Sequence, residues 1–321
     1  MIHFLATGGT IAMQRSDSAG GGGNVPALDA RELLTLAGNP NPGVEVVIED
    51  WTPLPAVHRG PAEMWALRSR VADLLAMSPT PTAIVVTHGT DTLEETAYLF
   101  ARTIPCGAPI VLTGAMRTSS DAGWDGPRNL GDAFRVAADP ESRGRGTMVV
   151  FAGRVFPGAN VVKLDAFSTD AFGSPHVGAL GTVSDGRVRF DGPASWRPTP
   201  VIPAPHLDPR VAVIPLVLGD DGRLLDLARP LFDGVVLEAF GRGNVPPGIL
   251  PAVRKWLADG KPVVLASRCP FGEVGDEYGF EGGGRRLLCE GVLPAGPRPT
   301  SLARLELVLC LAAGLRYGDA S

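Results

Sequence analysis

Short apolar runs that alternate with helical patterns constrain the fold of this chain most strongly. Five such runs, rich in β-branched residues, fall at residues 2–6, 44–48, 83–87, 109–112 and 147–151. Helical periodicity fits the segments at residues 29–37, 62–76, 93–104 and 129–138. Buried parallel strands are continuous apolar runs, and the crossover between two of them is usually a helix. The alternation therefore predicts an α/β fold with a mostly parallel sheet flanked by helices in the larger, N-terminal domain.

A proline-rich segment divides the chain. Residues 192–209 contain six prolines and cannot form a regular helix or a central strand. After this segment the pattern resumes, with strands expected at 211–215, 234–240 and 262–267 and helices at 249–258 and 302–313. We therefore expect an N-terminal α/β domain at 1–191, a linker at 192–209 and a smaller C-terminal α/β domain at 210–321.

Charge and hydropathy exclude two classes of partner. The 321 residues include 34 acidic and 29 basic side chains, with a net charge of −5 and no long basic run. A phosphate backbone needs such a run, so nucleic acid is not expected to bind. No apolar run approaches the ~18 residues that span a bilayer, so no membrane association is expected.

Cofactor and metal motifs are missing from the sequence. The glycines do not have the spacing of a dinucleotide-binding or phosphate-binding loop, and the five histidines and four cysteines do not have zinc-ligand spacing. We expect neither a cofactor nor a metal. The cysteines are far apart, and the N-terminus lacks the basic and apolar regions of a signal peptide, which predicts a cytoplasmic protein with free thiols.

The first informative segment reads FLATGGTIA at residues 4–12, where a predicted strand runs into two glycines and a threonine. Gly8 and Gly9 permit positive φ angles and a close approach of the backbone to a bound molecule. Ligands of open α/β sheets bind beyond the carboxyl ends of the strands. Taken alone, the segment is equally compatible with a tight turn and with a site that presents Thr10.

A second segment of the same kind reads AIVVTHGTDTLEETAY at residues 83–98. Thr92 and Glu95 have the spacing of a capping box and predict that a helix begins here. Thr90 and Asp91 then lie at the carboxyl end of a strand and just before a helix N-terminus, a position that favours an anionic group. Without the first segment, the simpler interpretation of Asp91 is a capping residue.

Two threonine loops at the ends of two strands of one sheet can face one pocket. Threonine hydroxyls are weak nucleophiles and need a base or a neighbouring charge. A lysine relieved of its proton by burial, and held by a carboxylate such as Asp91, would serve. The chain has only three lysines, and Lys163 is the one in an apolar loop with no predicted element. Lys163 is therefore the candidate base.

These segments resemble the signatures of the bacterial-type L-asparaginase family, which includes asparaginases and glutaminase-asparaginases. TGGTIA at residues 7–12 is similar to the first signature, and THGTDT at residues 87–92 is similar to the second. Further landmarks follow in family order: LTGAMR at 112–117, DGPRNL at 125–130, Lys163, GRGN at 241–244 and SR at 267–268. The resemblance covers nearly the whole chain.

The resemblance implies an amidohydrolase that works without a cofactor and converts L-asparagine to L-aspartate and ammonia. By position, Thr10 is the implied nucleophile. The second catalytic group would be Thr90, Asp91 and Lys163, and Asp91 would also contact the substrate α-amino group.

The resemblance also implies where the substrate binds. Gly9 and Gly89 are expected to contact it, and backbone amides near Thr10 and Thr90 would hold the oxyanion. Family members are dimers paired into tetramers with sites at subunit interfaces. We therefore expect a homodimer or homotetramer in which Asn244 is contributed by the neighbouring subunit.

The sequence departs from the family pattern in the loop after the first signature. Family members usually carry a tyrosine there that helps to activate the first threonine, whereas residues 13–24 contain none. Ser16, Ser18 and Asn24 are the available replacements. The glycine run at 20–23 is entropically costly to order, which predicts weak or slow closure of this loop.

A second departure affects the substrate carboxylate. The serine that binds it in the family is replaced at or near Val57, within PAVHRG at residues 55–60. Losing that hydroxyl leaves polar atoms unmatched. Either His58 or Arg59 binds the carboxylate instead, or the substrate differs from free asparagine.

Other functions share these signatures. One is a non-catalytic or weakly active amino-acid-binding relative, which the missing tyrosine and serine suggest, and another is an amidase for a different small amide. A third is the amide-hydrolysing subunit of a tRNA-dependent amidotransferase. It fits less well, because such subunits usually carry an additional N-terminal domain and here the first strand is predicted at residue 2.

Overall fold

A computed structural model describes residues 1–17, 22–40, 43–52, 54–105, 107–192 and 199–319. The chain divides into two compact units, Met1–Val201 and Ile202–Ser321. This division falls inside the proline-rich segment 192–209, of which residues 193–198 lie outside the described residues. Both units are α/β, and the predicted fold class is confirmed.

The first unit contains twelve strands and four α-helices within its described residues. The strands are β1 (Ile2–Ala6), β2 (Met13–Ser16), β3 (Gly23–Pro26), β4 (Val46–Asp50), β5 (Ala83–Thr87), β6 (Ile110–Thr113), β7 (Thr147–Phe151), β8 (Arg154–Pro157), β9 (Val162–Lys163), β10 (Phe172–Gly173), β11 (Gly181–Ser184) and β12 (Arg187–Phe190). The helices are α1 (Ala30–Leu36), α2 (Pro61–Ala76), α3 (Leu93–Thr103) and α4 (Gly126–Ala138).

Eight of these strands form one sheet in the order β12-β11-β8-β7-β6-β5-β1-β4. Five neighbouring strands of this sheet are parallel, namely β4, β1, β5, β6 and β7. Strands β8, β11 and β12 extend the sheet beyond β7 in antiparallel pairing. Ala6 at the end of β1 pairs with Thr87 at the end of β5, and Thr87 pairs with Thr113 at the end of β6. The loops that follow these three strands therefore leave the same edge of the sheet side by side.

Apolar side chains from alternate positions of the sheet pack against α1 and α4. Ile2, Phe4 and Ala6 belong to this core cluster, which also contains Leu33 of α1 and Phe134 of α4. The rings of Phe4 and Phe134 meet edge to face, with their centroids 5.6 Å apart. Such a buried aromatic pair stabilises the sheet and helix beyond the area that it buries.

The second unit is a smaller sheet of four parallel strands in the order β13-β14-β15-β16. Its elements are β13 (Val211–Pro215), α5 (Arg223–Ala228), β14 (Gly234–Ala239), α6 (Leu250–Ala258), β15 (Val263–Ser267), α7 (Gly284–Cys289), β16 (Leu293–Pro294) and α8 (Thr300–Ala312). Its core includes Val235, Leu237 and the fully buried Trp256, whose indole N–H donates to the Leu225 carbonyl at 2.9 Å.

Several element bounds differ from the sequence prediction. The second strand lies at 46–50 rather than 44–48, and α4 begins at Gly126 rather than at residue 129. Pro127 lies in the first turn of α4, where its missing N–H has no intrahelical partner to lose. Residues 13–24 were expected to be loop, whereas residues 13–16 pair with residues 23–26 as the antiparallel hairpin β2–β3.

No prediction covered β8 to β12, α5, α7 or β16. The strands among these are two to four residues long. Each of these strands is too short to show an alternation of apolar and polar residues, so only its pairing with a partner strand identifies it as a strand. Within the described ranges, no helix is both long enough and apolar enough to cross a membrane.

Two leucines on α1 test the placement of the larger core. Leu33 is buried in the cluster, whereas Leu36 on the same helix is half exposed. We expect Leu33→Ala to lower the free energy of unfolding by about 2–5 kcal/mol, because it leaves a cavity. Leu36→Ala should change it by about 0.5 kcal/mol or less. Urea unfolding of both variants makes the measurement, and equal losses would contradict this packing.

Candidate active site

The two threonine loops meet at their glycines. Gly9 has a φ of 92°, and a β-carbon placed on it would lie 2.5 Å from the Gly89 nitrogen. A β-carbon on Gly89 would lie 2.6 Å from that of Ala56, and one on Gly114, after β6, would lie 2.5 Å from the His88 carbonyl oxygen. Only glycine permits such contacts between backbones, so the loops after β1, β5 and β6 form one packed cluster.

Thr10 begins a short 3₁₀ turn, Thr10–Ala12, directly after Gly9. Its side chain is partly exposed, and within the described part of the chain its hydroxyl makes no hydrogen bond to another residue. The β2–β3 hairpin follows and is held by the 119–120 segment, since the Arg15 amide donates to the Ser120 hydroxyl at 3.0 Å. Thr10 is therefore placed at the cluster with its hydroxyl available to a ligand.

Thr90, Asp91 and Lys163 come together as the sequence predicts. The Lys163 ammonium donates to the Thr90 hydroxyl at 3.0 Å and to an Asp91 carboxylate oxygen at 2.8 Å. Thr90 is 5% exposed, and the side chain of Lys163 is 18% exposed, whereas that of Asp91 is 65% exposed. The three groups form a short polar chain that runs from the buried threonine to the surface.

A glutamate on α3 positions the backbone of Lys163. The Lys163 amide donates to the Glu94 carboxylate at 2.7 Å, and strand β9 is also held by its antiparallel pairing with β10. Glu94 lies in the first turn of α3, four residues after Thr90. The helix that follows the second threonine loop therefore also holds the lysine. Sequence reasoning missed this residue, because a glutamate in a first helical turn is adequately explained as a favourable charge there.

The expected capping box at the start of α3 is absent. Thr92 is the N-cap residue, but its side chain makes no capping hydrogen bond. Its φ of −125° and ψ of 12° are not the extended conformation that turns an N-cap side chain towards the helix amides. The predicted helix start was right, whereas the predicted cap was wrong.

His88 lies buried behind the second loop. One ring nitrogen lies 2.9 Å from the Gly89 carbonyl oxygen, and the other lies 3.1 Å from the Thr96 hydroxyl. Burial, reinforced by the positive charge of Arg59, lowers the pKa of His88 to about 4. The imidazole is therefore neutral at physiological pH. Its contacts connect the second threonine loop to α3.

The two residues proposed for the substrate carboxylate point in different directions. His58 ends the 3₁₀ turn Ala56–His58 and is exposed. Arg59 is 9% exposed, and its terminal nitrogens donate to the Thr7 hydroxyl at 3.0 Å, the Thr7 carbonyl and the Leu54 carbonyl. The guanidinium is thus engaged inside the protein, which leaves His58 as the accessible one of the two.

Asn244 belongs to the second unit, in a turn that follows β14. Its backbone forms an isolated antiparallel β-bridge with that of Phe240. Its side-chain oxygen accepts a hydrogen bond from the Gly284 amide at 3.4 Å. The side chain is only partly buried. Ser18 and two glycines of the 20–23 run lie outside the described residues, and the described part of that loop contains no tyrosine.

Potential metal ligands are scattered over the part of the chain that the structure describes. Across the described residues, no group of three or more His, Cys, Asp or Glu side chains lies close enough together to hold a metal ion. The chemistry that this arrangement supports is that of two threonine hydroxyls, one lysine, one carboxylate and the backbone amides around the glycine contact.

Comparison with known proteins defines the class to which this fold and site belong. Residues 1–196 match the family described as asparaginase, N-terminal, and residues 210–319 match the glutaminase/asparaginase C-terminal domain. The chain therefore belongs to the asparaginase family, as the two signatures predicted.

Relatives of similar length carry the same name. The chain is 38% identical to a probable L-asparaginase of Deinococcus radiodurans, over 99% of this chain and 95% of the relative. It is 31% identical to an L-asparaginase of Bacillus licheniformis, over 97% and 95% of the two chains. The crystal structure of a probable cytoplasmic L-asparaginase from Campylobacter jejuni superposes with a TM-score of 0.82 at 27% identity, covering 97% of this chain and 94% of that one.

The buried state of His88 makes stability depend on pH in a defined window. Its pKa of about 4 is below the value of about 6.5 in an unfolded chain, so between these values the unfolded state binds the proton and acid destabilises the fold. This loss amounts to roughly 3 kcal/mol between pH 6.5 and 4, with no contribution from His88 above that range. His88→Gln should remove this part of the pH dependence.

Urea unfolding at a series of pH values measures the effect. His206→Gln is the matched control, because it makes the same substitution at a histidine whose side chain is 45% exposed. If His88→Gln and wild type lose stability in parallel as the pH falls, His88 is not buried and neutral.

Proposed function

We propose that this protein hydrolyses the side-chain amide of L-asparagine to L-aspartate and ammonia, with Thr10 as the nucleophile. The observation that carries the proposal is the placement of the Lys163 nitrogen within 3.0 Å of both the Thr90 hydroxyl and the Asp91 carboxylate. Thr90 and Asp91 follow Gly89, and Gly89 contacts Gly9 of the Thr10 loop. The names of the relatives support the choice of asparagine as substrate.

The reaction has two steps, in which the acyl group of the substrate is transferred first to Thr10 and then to water. The Thr10 oxygen attacks the amide carbon, the carbon–nitrogen bond breaks, and the Thr10 proton leaves with the nitrogen as ammonia. Water then cleaves the ester, which releases aspartate and restores the Thr10 hydroxyl. Backbone amides of the glycine cluster would stabilise the oxyanion of each step, a contribution typically worth a few kcal/mol.

Thr90, Asp91 and Lys163 supply charge and proton transfer beside the reacting carbon. When the Thr90 oxygen takes a proton from the attacking water, its own proton passes to the Lys163 nitrogen, and the Asp91 carboxylate balances the positive charge that results. The exposed part of Asp91 is available to the α-amino group of the substrate. His58 is the proposed contact for the α-carboxylate, since it is accessible and lies on the turn that packs against Gly89.

Ammonia release by purified variants tests this assignment. We expect Thr10→Ala, Thr90→Val and Lys163→Met each to lower kcat by roughly 10²–10⁴-fold, because each removes a nucleophile or a proton-transfer group. Lys255→Met is the matched control. Lys255 forms an exposed ion pair with Asp226 in the second unit, and its loss should leave kcat unchanged.

Two results would contradict the proposal. One is a wild-type protein that releases no ammonia from asparagine, glutamine or other small amides. The other is a folded Lys163→Met variant as active as Lys255→Met. Calorimetric binding of asparagine without turnover would instead indicate a non-catalytic relative.

We further propose that the protein is a homodimer or homotetramer and that Asn244 acts in the site of a neighbouring subunit. Exposed apolar side chains support association. Leu224 and Leu227 are exposed on α5 and Leu231 is exposed in the turn after it, all in the second unit, and Phe167 of the first unit is exposed on the loop after Lys163. Neighbouring exposed apolar residues such as those on and after α5 are a feature of surfaces that contact another chain.

Complementation between two inactive variants tests the contribution of Asn244. Lys163→Met and Asn244→Ala should each be weakly active alone. After mixed refolding as random dimers, about a quarter of the wild-type activity should return, because one site of each heterodimer is intact. No recovery in mixed dimers, or a monomeric mass near 33.5 kDa in solution, would contradict the proposal.

We also propose a cytoplasmic location. The similar Campylobacter structure is described as cytoplasmic, and Cys269 and Cys289 are free thiols, as expected in a reducing compartment. Cell fractionation with antibody detection decides this point.

A further inference from the structure

A buried arginine joins three segments beneath the candidate site. Arg59 follows the 3₁₀ turn that packs on Gly89, and its side chain turns inward. One terminal nitrogen donates to the Thr7 hydroxyl at 3.0 Å, and the other donates to the Thr7 and Leu54 carbonyls. The guanidinium therefore ties the end of β1 to the segment that carries His58.

The hydrogen bonds continue from Thr7 to the second threonine loop. The Thr7 hydroxyl accepts from Arg59 and donates to the Thr87 carbonyl at 2.7 Å, and the Thr7 amide donates to the same carbonyl at 3.2 Å. Thr7 precedes Thr10 by three residues, and Thr87 precedes Thr90 by three. One side chain is thus connected to the base of both loops that present a candidate catalytic hydroxyl.

Fold stability alone does not account for this arrangement. Arg59 forms no ion pair with any described carboxylate, and its Nε has no hydrogen-bond partner among the described residues. Burial lowers the pKa of the guanidinium, and its charge also contributes to the neutral state of His88. A buried charge without a counter-charge destabilises a protein relative to a well-packed apolar side chain.

We infer that Arg59 is a positioning residue that holds the Thr7–Thr87 strand ends in register and thereby fixes the Thr10 hydroxyl opposite Thr90 and Lys163. The inference rests on the proposed hydrolase function. Arg59 is assigned to the fold and not to the substrate, because its side chain is buried and three of its N–H groups donate within the protein. It acts on the reaction through Thr7 and its three-residue connection to Thr10.

Substitution at two arginines with similar contacts tests this role. Arg59→Met removes the tie to Thr7. Arg68→Met is the matched control, because Arg68 also donates to the hydroxyl and the carbonyl of one threonine, Thr103, at the far end of α3. We expect Arg59→Met to lower kcat roughly 10-fold to 100-fold with KM changed less than about threefold, because displacement of a reacting group slows the chemical step. Arg68→Met should leave both constants unchanged.

Hydrogen exchange provides a readout that does not depend on catalysis. In Arg59→Met, backbone exchange should become faster at residues 7–12 and 87–92, whereas strand β7 in the same sheet should exchange as in wild type. Arg59→Lys keeps the charge but not the planar fork, so its kcat and exchange should fall between wild type and Arg59→Met. This milder variant also decides the question if Arg59→Met does not fold.

The results separate this inference from the proposed function. If wild type releases no ammonia, the hydrolase proposal fails, and the exchange pattern still decides whether Arg59 positions the loops. Unchanged kcat and exchange in folded Arg59→Met or Arg59→Lys would overturn the inference. A raised KM with unchanged kcat would also overturn it, because that result indicates contact with the substrate. Faster exchange throughout the first unit, including β7, would show only a general loss of stability and would overturn it as well.

Discussion

The contact between the backbones of Gly9 and Gly89 is the constraint on which the site depends. Parallel pairing sets the ends of β1 and β5 side by side, with Ala6 opposite Thr87. The two loops are so close that a β-carbon on Gly9 would collide with the Gly89 amide. This approach brings a loop from the start of the chain against one that begins about 80 residues later. The proposed roles of Thr10 and of the Thr90–Lys163 pair in one reaction depend on this contact between the two loops.

The second loop reaches its lysine by a different route. Lys163 is 73 residues from Thr90 and is held on a two-residue strand, β9. Such a strand has little stability of its own, and the Glu94 carboxylate adds a hydrogen bond to the Lys163 amide. Because Glu94 is in the first turn of α3, the helix that follows Thr90 also holds the backbone of Lys163. A rigid element thereby supports a contact that a loop alone would leave variable.

Buried charge and a buried neutral imidazole accompany these loops. Arg59 and His88 are both nearly inaccessible, and the charge of the first disfavours protonation of the second. The guanidinium donates to Thr7 and Leu54, and the imidazole contacts Gly89 and Thr96. Asp91, Lys163 and His58 are the more accessible titratable groups of the same loops. Arg59 and His88 both lie near the carboxyl edge of the parallel strands, and burial lowers the pKa of each.

Local patterns in the sequence were enough for the fold class and for most of the long elements. Apolar runs that are buried on both faces mark parallel strands without further information, which is why β1, β5 and β7 were predicted within their observed bounds. The asparaginase signatures likewise identified the family and brought Thr90, Asp91 and Lys163 to attention. The short strands β8 to β12 were missed, because only a partner strand distinguishes four such residues from a loop.

Sequence alone determined which groups are available for chemistry: two Gly-Thr turns at strand ends, one lysine in an apolar loop and no tyrosine between residues 13 and 24. Only the tertiary structure decided how they are arranged. It turned Arg59 inward to Thr7 and left His58 exposed, and it assigned Glu94 to Lys163 rather than to the helix end alone. The physical reason is that a side chain's partner depends on which distant segment the sheet brings beside it, and no local pattern encodes that neighbour.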